Sequence, residues 1–293
     1  MYEQIASNKR RTWALMTLFL VVIVILGYVW GKSYNFGYGG LIIALIFSIG
    51  INLISYFKGD KLALSMANAK QIKQADNPYV YRLVENLSIT AGVPCPKIYL
   101  IPDNAINAFA TGRDPKTASI AITTGAVQKL ENEELEGVIA HELSHVKNYD
   151  IRLMTVVILC VGLITLLADF MLRSRFIFGS RDNDNNNNGN LLLIIGLVLS
   201  ILSPIFATLI QLAVSRKREY LADASASLLT RYPEGLASAL EKIAKENLPL
   251  KRANKSMAHL YIASPFSATE KISNLFSTHP PIIERVKKLR MMI

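Results

Sequence analysis

The chain of 293 residues is 51% hydrophobic and only 18% charged, with a formal net charge of +10. A soluble enzyme of this length is usually less apolar and more charged. The excess is concentrated in four apolar blocks, which predicts an integral membrane protein with a soluble part. Lys and Arg residues flank these blocks, and the chain has no glycine-rich phosphate loop. The charge therefore indicates anchoring at an anionic lipid surface and excludes nucleic acid as the expected partner.

The first two apolar blocks predict a helical hairpin across the bilayer. Residues 12–31 carry no charge and follow Lys9, Arg10 and Arg11, and a second stretch covers residues 40–57. The first block is longer than the apolar core of a signal peptide, and no small-residue cleavage site follows it. Basic residues before the first span predict that the N-terminus faces the cytoplasm. Two spans then return the chain to the cytoplasm, where the soluble part is expected.

The region that follows the hairpin has the composition of a soluble domain. Its pattern predicts a helix over residues 77–91 and short strands over residues 97–102, 107–112 and 118–127. Asn132 is expected to cap the next helix, because Glu133 and Glu134 after it suit the positive end of a helix dipole.

Two further apolar blocks interrupt the soluble region. They cover residues 153–172 and 191–214, and an asparagine-rich loop at residues 183–190 lies between them. The loop is of low complexity and predicts a flexible connection. Arginines in the segment before it argue against placing that segment outside the cell, so the sequence leaves open whether these two blocks span the membrane. After residue 215 the pattern is helical again.

The segment "HELSH" holds the H-E-x-x-H pattern of His141, Glu142 and His145. Side chains four positions apart share one face of a helix, so the two imidazoles can hold one zinc ion. Glu142 lies beside them and can take a proton from a water that the metal activates. A helix with two ordinary histidines is the alternative, but apolar neighbours such as Leu135 and Val138 indicate a buried helix, where paired histidines need partners.

A catalytic zinc usually has three protein ligands and one open position. His259, His279 and a carboxylate are the candidates for the third ligand. Glu219 and Asp223 in "SRKREYLADASA" are four positions apart, which suits one carboxylate on the metal and one that orients a histidine ligand. This pattern favours Glu219 as the ligand. Two apolar blocks separate His145 from Glu219, so both ligands lie on one side of the membrane whether both blocks span it or neither does.

Four motifs together resemble one known family. "NAFATG", "HELSH", "SRKREYLADASA" and "FSTHPPIIERVKKL" follow one another as they do in the HtpX family of membrane-bound zinc metallopeptidases of bacterial quality control. The likeness covers nearly the whole chain, and the asparagine-rich loop is its one visible departure. The resemblance implies His141, His145 and Glu219 as zinc ligands, Glu142 as general base, Asp223 as support for the ligand shell, His279 as an oxyanion stabiliser, and a substrate-binding strand at Asn107, Ala108 and Phe109.

The expected fold is mainly α with a small β-sheet, in an integral membrane protein whose catalytic domain is zincin-like, of the gluzincin type, and carries the HExxH helix. Its predicted parts are an N-terminal hairpin (1–57), a first catalytic part (58–152), a second hydrophobic hairpin (153–214) and a second catalytic part (215–293). The expected function is zinc-dependent hydrolysis of misfolded or damaged membrane proteins in the bacterial cell membrane during stress. The alternatives are a scaffold or transporter with a structural zinc, and a peptidase for prenylated C-termini.

Overall fold

A computed structural model describes residues 2–33, 37–158, 160, 216–252, 257–266 and 279–292. Its helices are α1 (Tyr2–Ser33), α2 (Gly39–Met66), α3 (Pro78–Ala91), α4 (Thr124–Lys129), α5 (Asn132–Lys147), α7 (Arg216–Thr230), α8 (Pro233–Glu246) and α9 (Ile282–Arg290). Residues 150–158 are also helical and form α6. The strands are β1 (Lys70–Gln71), β2 (Lys97–Ile101), β3 (Ala108–Thr111) and β4 (Ser119–Thr123), with a 3-10 turn at Pro115–Thr117. The predicted fold class, mainly helical with a small sheet, is confirmed.

Helices α1 and α2 form the expected apolar hairpin. Their segments Ile5–Tyr28 and Gly39–Met66 are long and apolar enough to cross a membrane. The helices approach closely at Gly27, where an added Cβ would lie 2.1 Å from the Cβ of Ala44. Small residues at such crossings let membrane helices pack backbone to backbone. Helix α2 continues well past residue 57, where the apolar pattern ends, and carries the chain into the soluble part.

The small sheet has the strand order β1-β2-β4-β3. Strands β2 and β4 are parallel, and the other two pairs are antiparallel. Strand β3 therefore lies at an edge, next to the helix that carries the HExxH motif, because α5 packs against β3.

Two sequence predictions need correction. The strand expected over residues 118–127 ends at Thr123, whose Oγ1 accepts a hydrogen bond from Ala126 N at 3.1 Å and caps α4. Asn132 is the first residue of α5 and not its cap, which is Glu131. The Glu131 amide donates to the Glu134 carboxylate at 2.8 Å, while the Asn132 side chain accepts from the Tyr79 hydroxyl at 2.7 Å. Capping here is reciprocal between two glutamates, which the single-residue preference for asparagine did not predict.

Helix α5 lies in the middle of the soluble part and packs against α3, α7, α8 and β3. It packs closely against α8 at Gly137, where an added Cβ would lie 2.7 Å from Leu236 N. Leu135, Val138 and Ile139 join the main hydrophobic cluster around it. The burial of this helix confirms the interpretation of its apolar face.

The third apolar block is described only over residues 153–158 and 160, where its apolar side chains are buried. The remainder of that block, the asparagine-rich loop at 183–190 and the fourth block at 191–214 lie outside the described residues. The predicted hairpin of residues 153–214 and the domain limits therefore stay predictions.

Candidate metal centre

Helix α5 presents His141 and His145 on one face, one turn apart. Their Nε2 atoms are 3.2 Å from each other, and the two rings are nearly perpendicular. Both side chains are buried. Two imidazole nitrogens at this distance are well placed to bind one metal ion together.

Glu219 comes from α7, on the far side of the undescribed segment in sequence, and reaches the same point. Its Oε2 lies 3.8 Å from His141 Nε2 and its Oε1 lies 3.6 Å from His145 Nε2. The three ligand atoms all lie within 4.8 Å of one another, and all three residues are buried. The structure thus brings together His141, His145 and Glu219, the three residues that were predicted from the sequence as metal ligands.

The chemistry of this donor set fits a divalent cation. Two neutral imidazoles and one carboxylate are a common ligand set of catalytic zinc, although other divalent ions accept it as well. Glu219 Oε1 is buried and has no hydrogen-bond partner among the residues that the structure describes. A buried carboxylate oxygen needs a hydrogen bond or a cation, and a metal at the imidazole pair would supply the latter.

Each imidazole is oriented by a carboxylate on its other nitrogen. His141 Nδ1 lies 3.0 Å from Asp223 Oδ1, and His145 Nδ1 lies 3.0 Å from Asp150 Oδ2. Such contacts fix the tautomer and leave Nε2 available to a metal. The sequence predicted Asp223 in this position, four residues after Glu219, but it missed Asp150.

Asp150 could have been suspected because it is an acidic residue five positions after His145. Helical spacing would not place it there, since α5 ends before it. Tyr149 lies between the end of α5 and the start of α6 and has a left-handed backbone with φ +60°. The chain therefore changes direction before α6 begins at Asp150. A left-handed tyrosine is uncommon and cannot be read from the sequence.

Arg285 on α9 is the second residue that the sequence missed. Its Nε and Nη2 donate to the two carboxylate oxygens of Asp223 at 2.9 and 2.7 Å, and its Nη1 donates to Ile262 O at 2.9 Å. It is the bulkiest fully buried side chain of the described residues. Charge-assisted, bidentate pairs of this kind hold a carboxylate in one orientation.

Glu142 has the environment of a proton-transfer group. It is buried beside His141, and its Oε1 has no hydrogen-bond partner within the described parts of the chain. Burial raises the pKa of Glu142 to about 7, against the opposing effects of His145 and of the Ala110 backbone. A carboxyl whose pKa lies near neutrality can both accept and return a proton.

The two remaining histidines lie in different environments. His279 Nδ1 donates to Glu219 Oε2 at 3.0 Å, whereas His259 Nε2 donates to the carbonyl of Met154 at 3.1 Å. Burial works to raise the pKa of Glu219, but the charge and hydrogen bond of His279, together with His145 and Arg285, hold that pKa well below its usual range. His279 therefore contacts the candidate metal ligand Glu219, whereas His259 is hydrogen-bonded to the backbone of α6.

The predicted substrate strand lies next to this centre. Asn107, Ala108 and Phe109 are all buried. The Asn107 side chain donates to Ala263 O at 3.2 Å, and Ala108 O accepts from Ile262 N at 3.0 Å. At Ala108 the outer edge of β3 is thus already hydrogen-bonded to Ile262. The bond from the Asn107 side chain to the next residue, Ala263, stabilises this pairing. The backbone of Ala110, two residues further along β3 than Ala108, is close enough to Glu142 to lower its pKa.

Comparison with known proteins defines first the class of this protein. The model of peptidase family M48 matches residues 74–293, a range that contains every member of the metal centre. The protein is therefore a membrane-associated metallopeptidase.

The curated relatives narrow the class. The "Protease HtpX homolog" of Dictyoglomus turgidum is 47% identical over 291 residues, which are 99% of this chain and 94% of that protein. The homologues of Caldanaerobacter subterraneus subsp. tengcongensis and Lactobacillus helveticus are 46% and 44% identical, over 100% of this chain and 98% and 100% of theirs. The chain belongs to the HtpX family of proteases.

A solved structure has a similar fold. The crystal structure of S. mikatae Ste24p aligns with a TM-score of 0.55 at 17% identity, over 99% of this chain and 67% of that one. At this identity the likeness shows the fold alone.

Proposed function

We propose that this protein is a zinc-dependent endopeptidase of the bacterial cell membrane that hydrolyses misfolded or damaged membrane proteins under stress. One observation carries the proposal. The buried His141, His145 and Glu219 converge within 4.8 Å of one another, and Glu142, with its raised pKa, lies beside them. A purely structural zinc site is closed by four ligands and has no need of such a glutamate.

In this proposal His141, His145 and Glu219 hold the metal, while Asp223 and Asp150 orient the two imidazoles. When bound, zinc supplies Lewis-acid chemistry that makes water a nucleophile near neutral pH and polarises the scissile carbonyl. Glu142 accepts the proton of the attacking water and then donates it to the leaving amine. Its burial favours this cycle, because a carboxyl with a pKa of about 7 exchanges a proton at little cost.

His279 is proposed to stabilise the oxyanion of the tetrahedral intermediate. The Nδ1–H donates to Glu219, which fixes the plane of the ring and directs Nε2 to the opposite side. Both ring nitrogens are donors only in the imidazolium form, so the proposed role requires that form of His279. Its Nε2–H, already oriented in the ground state, would lose little free energy through reorganisation during the reaction.

The substrate is proposed to bind as an extended strand along the outer edge of β3, around Asn107, Ala108 and Phe109. Pairing through the backbone recognises an extended chain more than its side chains, which suits misfolded polypeptides without a common sequence. Because Ile262 already pairs with Ala108, binding there requires that residues 261–263 give way, or that the substrate pairs only from Ala110 onward.

Two features support a membrane location with the soluble part in the cytoplasm. The hairpin of α1 and α2 has the length and apolarity of two spans. Lys9, Arg10 and Arg11 precede the first apolar block, and such a basic flank favours the cytoplasmic side. A soluble part joined directly to these helices acts close to the bilayer, where damaged membrane proteins expose unfolded segments.

The test is proteolysis of an unfolded protein, such as casein, by protein that is purified in detergent under chelator and then given zinc. Wild type and Glu142→Gln are compared, and zinc content is measured on both. We expect both to hold about one zinc per chain and only wild type to cleave, because the amide retains the shape of Glu142 but accepts no proton. If both hold zinc and neither cleaves, the proposal fails and a structural zinc becomes the better interpretation. A prenylated peptide as second substrate tests the remaining alternative.

A further inference from the structure

We propose that the first turns of α1, before the uncharged block of residues 12–31, belong to the metal centre, and that Asn8 is a positioning residue that orients His145 through Asp150. The inference rests on the proposed metal site. It adds to that site a role for a helix whose composition indicates only a membrane anchor.

The contacts form a continuous chain from α1 to a metal ligand. Asn8 Nδ2 donates to Asp150 Oδ1 at 2.6 Å and to the carbonyl of Asn148 at 2.9 Å. The other oxygen of Asp150 contacts His145 Nδ1 at 3.0 Å. Asn8 and Asp150 are only 3% and 2% exposed, so water does not compete strongly for these bonds. One carboxylate thus connects the amide of a membrane helix with the imidazole of a candidate metal ligand.

The turn at residues 148–150 is strained and is stabilised by contacts with α1. Tyr149 has φ +60°, a conformation that costs a non-glycine residue free energy. The two N–H groups of the Asn8 amide bond to the residues on either side of it. The Tyr149 ring also lies 4.7 Å from Lys9 Nζ, in a cation–π contact. Asn8 and Lys9 of α1 therefore both stabilise the turn that places the Asp150 carboxylate next to His145.

Among the described residues, Asp150 has one further charged partner, Arg218, which constrains it more weakly. Arg218 Nη1 lies 3.4 Å from Asp150 Oδ1, beyond a short charge-assisted hydrogen bond. Without Asn8 the carboxylate would keep this ion pair but lose its shortest hydrogen bond and gain freedom to rotate. His145 would then lose part of its fixed orientation, and outer contacts of this kind tune metal affinity.

The test measures zinc affinity by competition with a chelator, in the Glu142→Gln background so that the protein does not cut itself. We expect Asn8→Ala to weaken zinc binding about tenfold, the low end of what loss of an outer-shell partner typically causes. The matched control is Asn52→Ala. Asn52 is likewise a buried asparagine of the hairpin, on α2, but its amide donates to Met16 O of α1 at 3.4 Å, away from the metal centre. We expect that variant to bind zinc as its parent does.

A double-mutant cycle separates positioning from general packing. In an Asp150→Ala background, Asn8→Ala should cause no further loss of zinc affinity, because the path to His145 is already broken. Equal losses in the presence and absence of Asp150 would overturn the proposal, and so would unchanged affinity in Asn8→Ala. Asn8→Ser retains a small polar side chain, and its zinc affinity is measured beside that of Asn8→Ala. The melting temperature of each metal-free variant shows whether the fold is intact, which excludes unfolding as the cause of weaker zinc binding. If the parent itself binds no zinc, the proposed metal function fails first and the inference fails with it.

Discussion

Arg285 and Asp223 form a bidentate ion pair in the interior of the protein, with Nε–Oδ2 and Nη2–Oδ1 distances of 2.9 and 2.7 Å. Asp223 Oδ1 also lies 3.0 Å from His141 Nδ1. Helix α9, near the end of the chain, is thereby tied to the metal centre through a single carboxylate. The pair gives that carboxylate its charge balance and gives the imidazole its orientation.

Arg285→Ala should therefore destabilise the protein and weaken zinc binding together. Removing one partner of a buried ion pair costs about 3–5 kcal/mol, because the other charge is left buried without compensation. The measurements are the melting temperature in detergent and the zinc affinity. Arg290→Ala is the matched control, since Arg290 lies on the same helix and pairs with Glu234 and Glu241 at the surface. Exposed pairs contribute little, so this control should behave as wild type.

The double change Arg285→Met with Asp223→Leu separates the two effects. Replacing a buried ion pair by apolar side chains is often neutral or stabilising, so the melting temperature should recover in the double variant. Zinc affinity should stay low, because nothing then orients His141. Recovery of both quantities would contradict the orienting role of Asp223.

Glu219→Ala should abolish stoichiometric zinc binding, whereas His259→Ala should leave it intact. Both side chains are buried, but of the two only Glu219 belongs to the group of described residues whose ligand atoms lie within 4.8 Å of one another. His259 donates to Met154 O, so its loss should lower only the melting temperature. Zinc content after dialysis against metal-free buffer measures the difference. Normal zinc content and normal cleavage in Glu219→Ala would refute its assignment as third ligand.

The sequence was sufficient for those members of the centre whose spacing is helical. His141 and His145 on α5, and Glu219 and Asp223 on α7, are each four positions apart, and a helix converts that spacing into one face. Asp150 was missed because its position depends on a left-handed residue, Tyr149, that no periodicity predicts.

Arg285 was missed for a different reason. It lies in a helix with Lys287, Lys288 and Arg290, a composition that is typical of a solvated basic helix. The helix is amphipathic, however, and buries Arg285 together with Val286 and Leu289. The tertiary positions of Asp223 and of the Ile262 carbonyl make a buried arginine favourable there, and a single sequence holds no local signal of those contacts.

The fold was predicted best where composition alone decides it. Two long uncharged blocks predicted the hairpin of α1 and α2, because only helices of that length suit a bilayer. Limits between short elements were predicted less well. The apolar run through residues 118–127 contains both β4 and α4, and the change occurs where Thr123 caps the helix with its own side chain.

His279→Ala should lower kcat about 100-fold or more while zinc content stays near one per chain, as expected for loss of an oxyanion donor. Its hydrogen bond to Glu219 Oε2 could instead serve only to hold the ligand. In that case zinc affinity and activity would fall in parallel, and added zinc would restore cleavage. Cleavage rates measured at saturating zinc distinguish the two roles. Restoration by zinc would contradict the proposed role in oxyanion stabilisation.

Gly137→Ala should destabilise the protein even though alanine is the better helix former by about 1 kcal/mol. The new Cβ would lie 2.7 Å from Leu236 N and 2.9 Å from Leu236 Cα, so α8 would have to move away from α5. Gly50→Ala is the matched control, because nothing lies within 4 Å of a Cβ at that position of α2. The melting temperature should fall in the first variant and stay constant or rise in the second. Since Gly137 lies one turn before His141, zinc affinity should fall with it. An unchanged melting temperature in Gly137→Ala would mean that α5 and α8 are packed less closely than the structure has them.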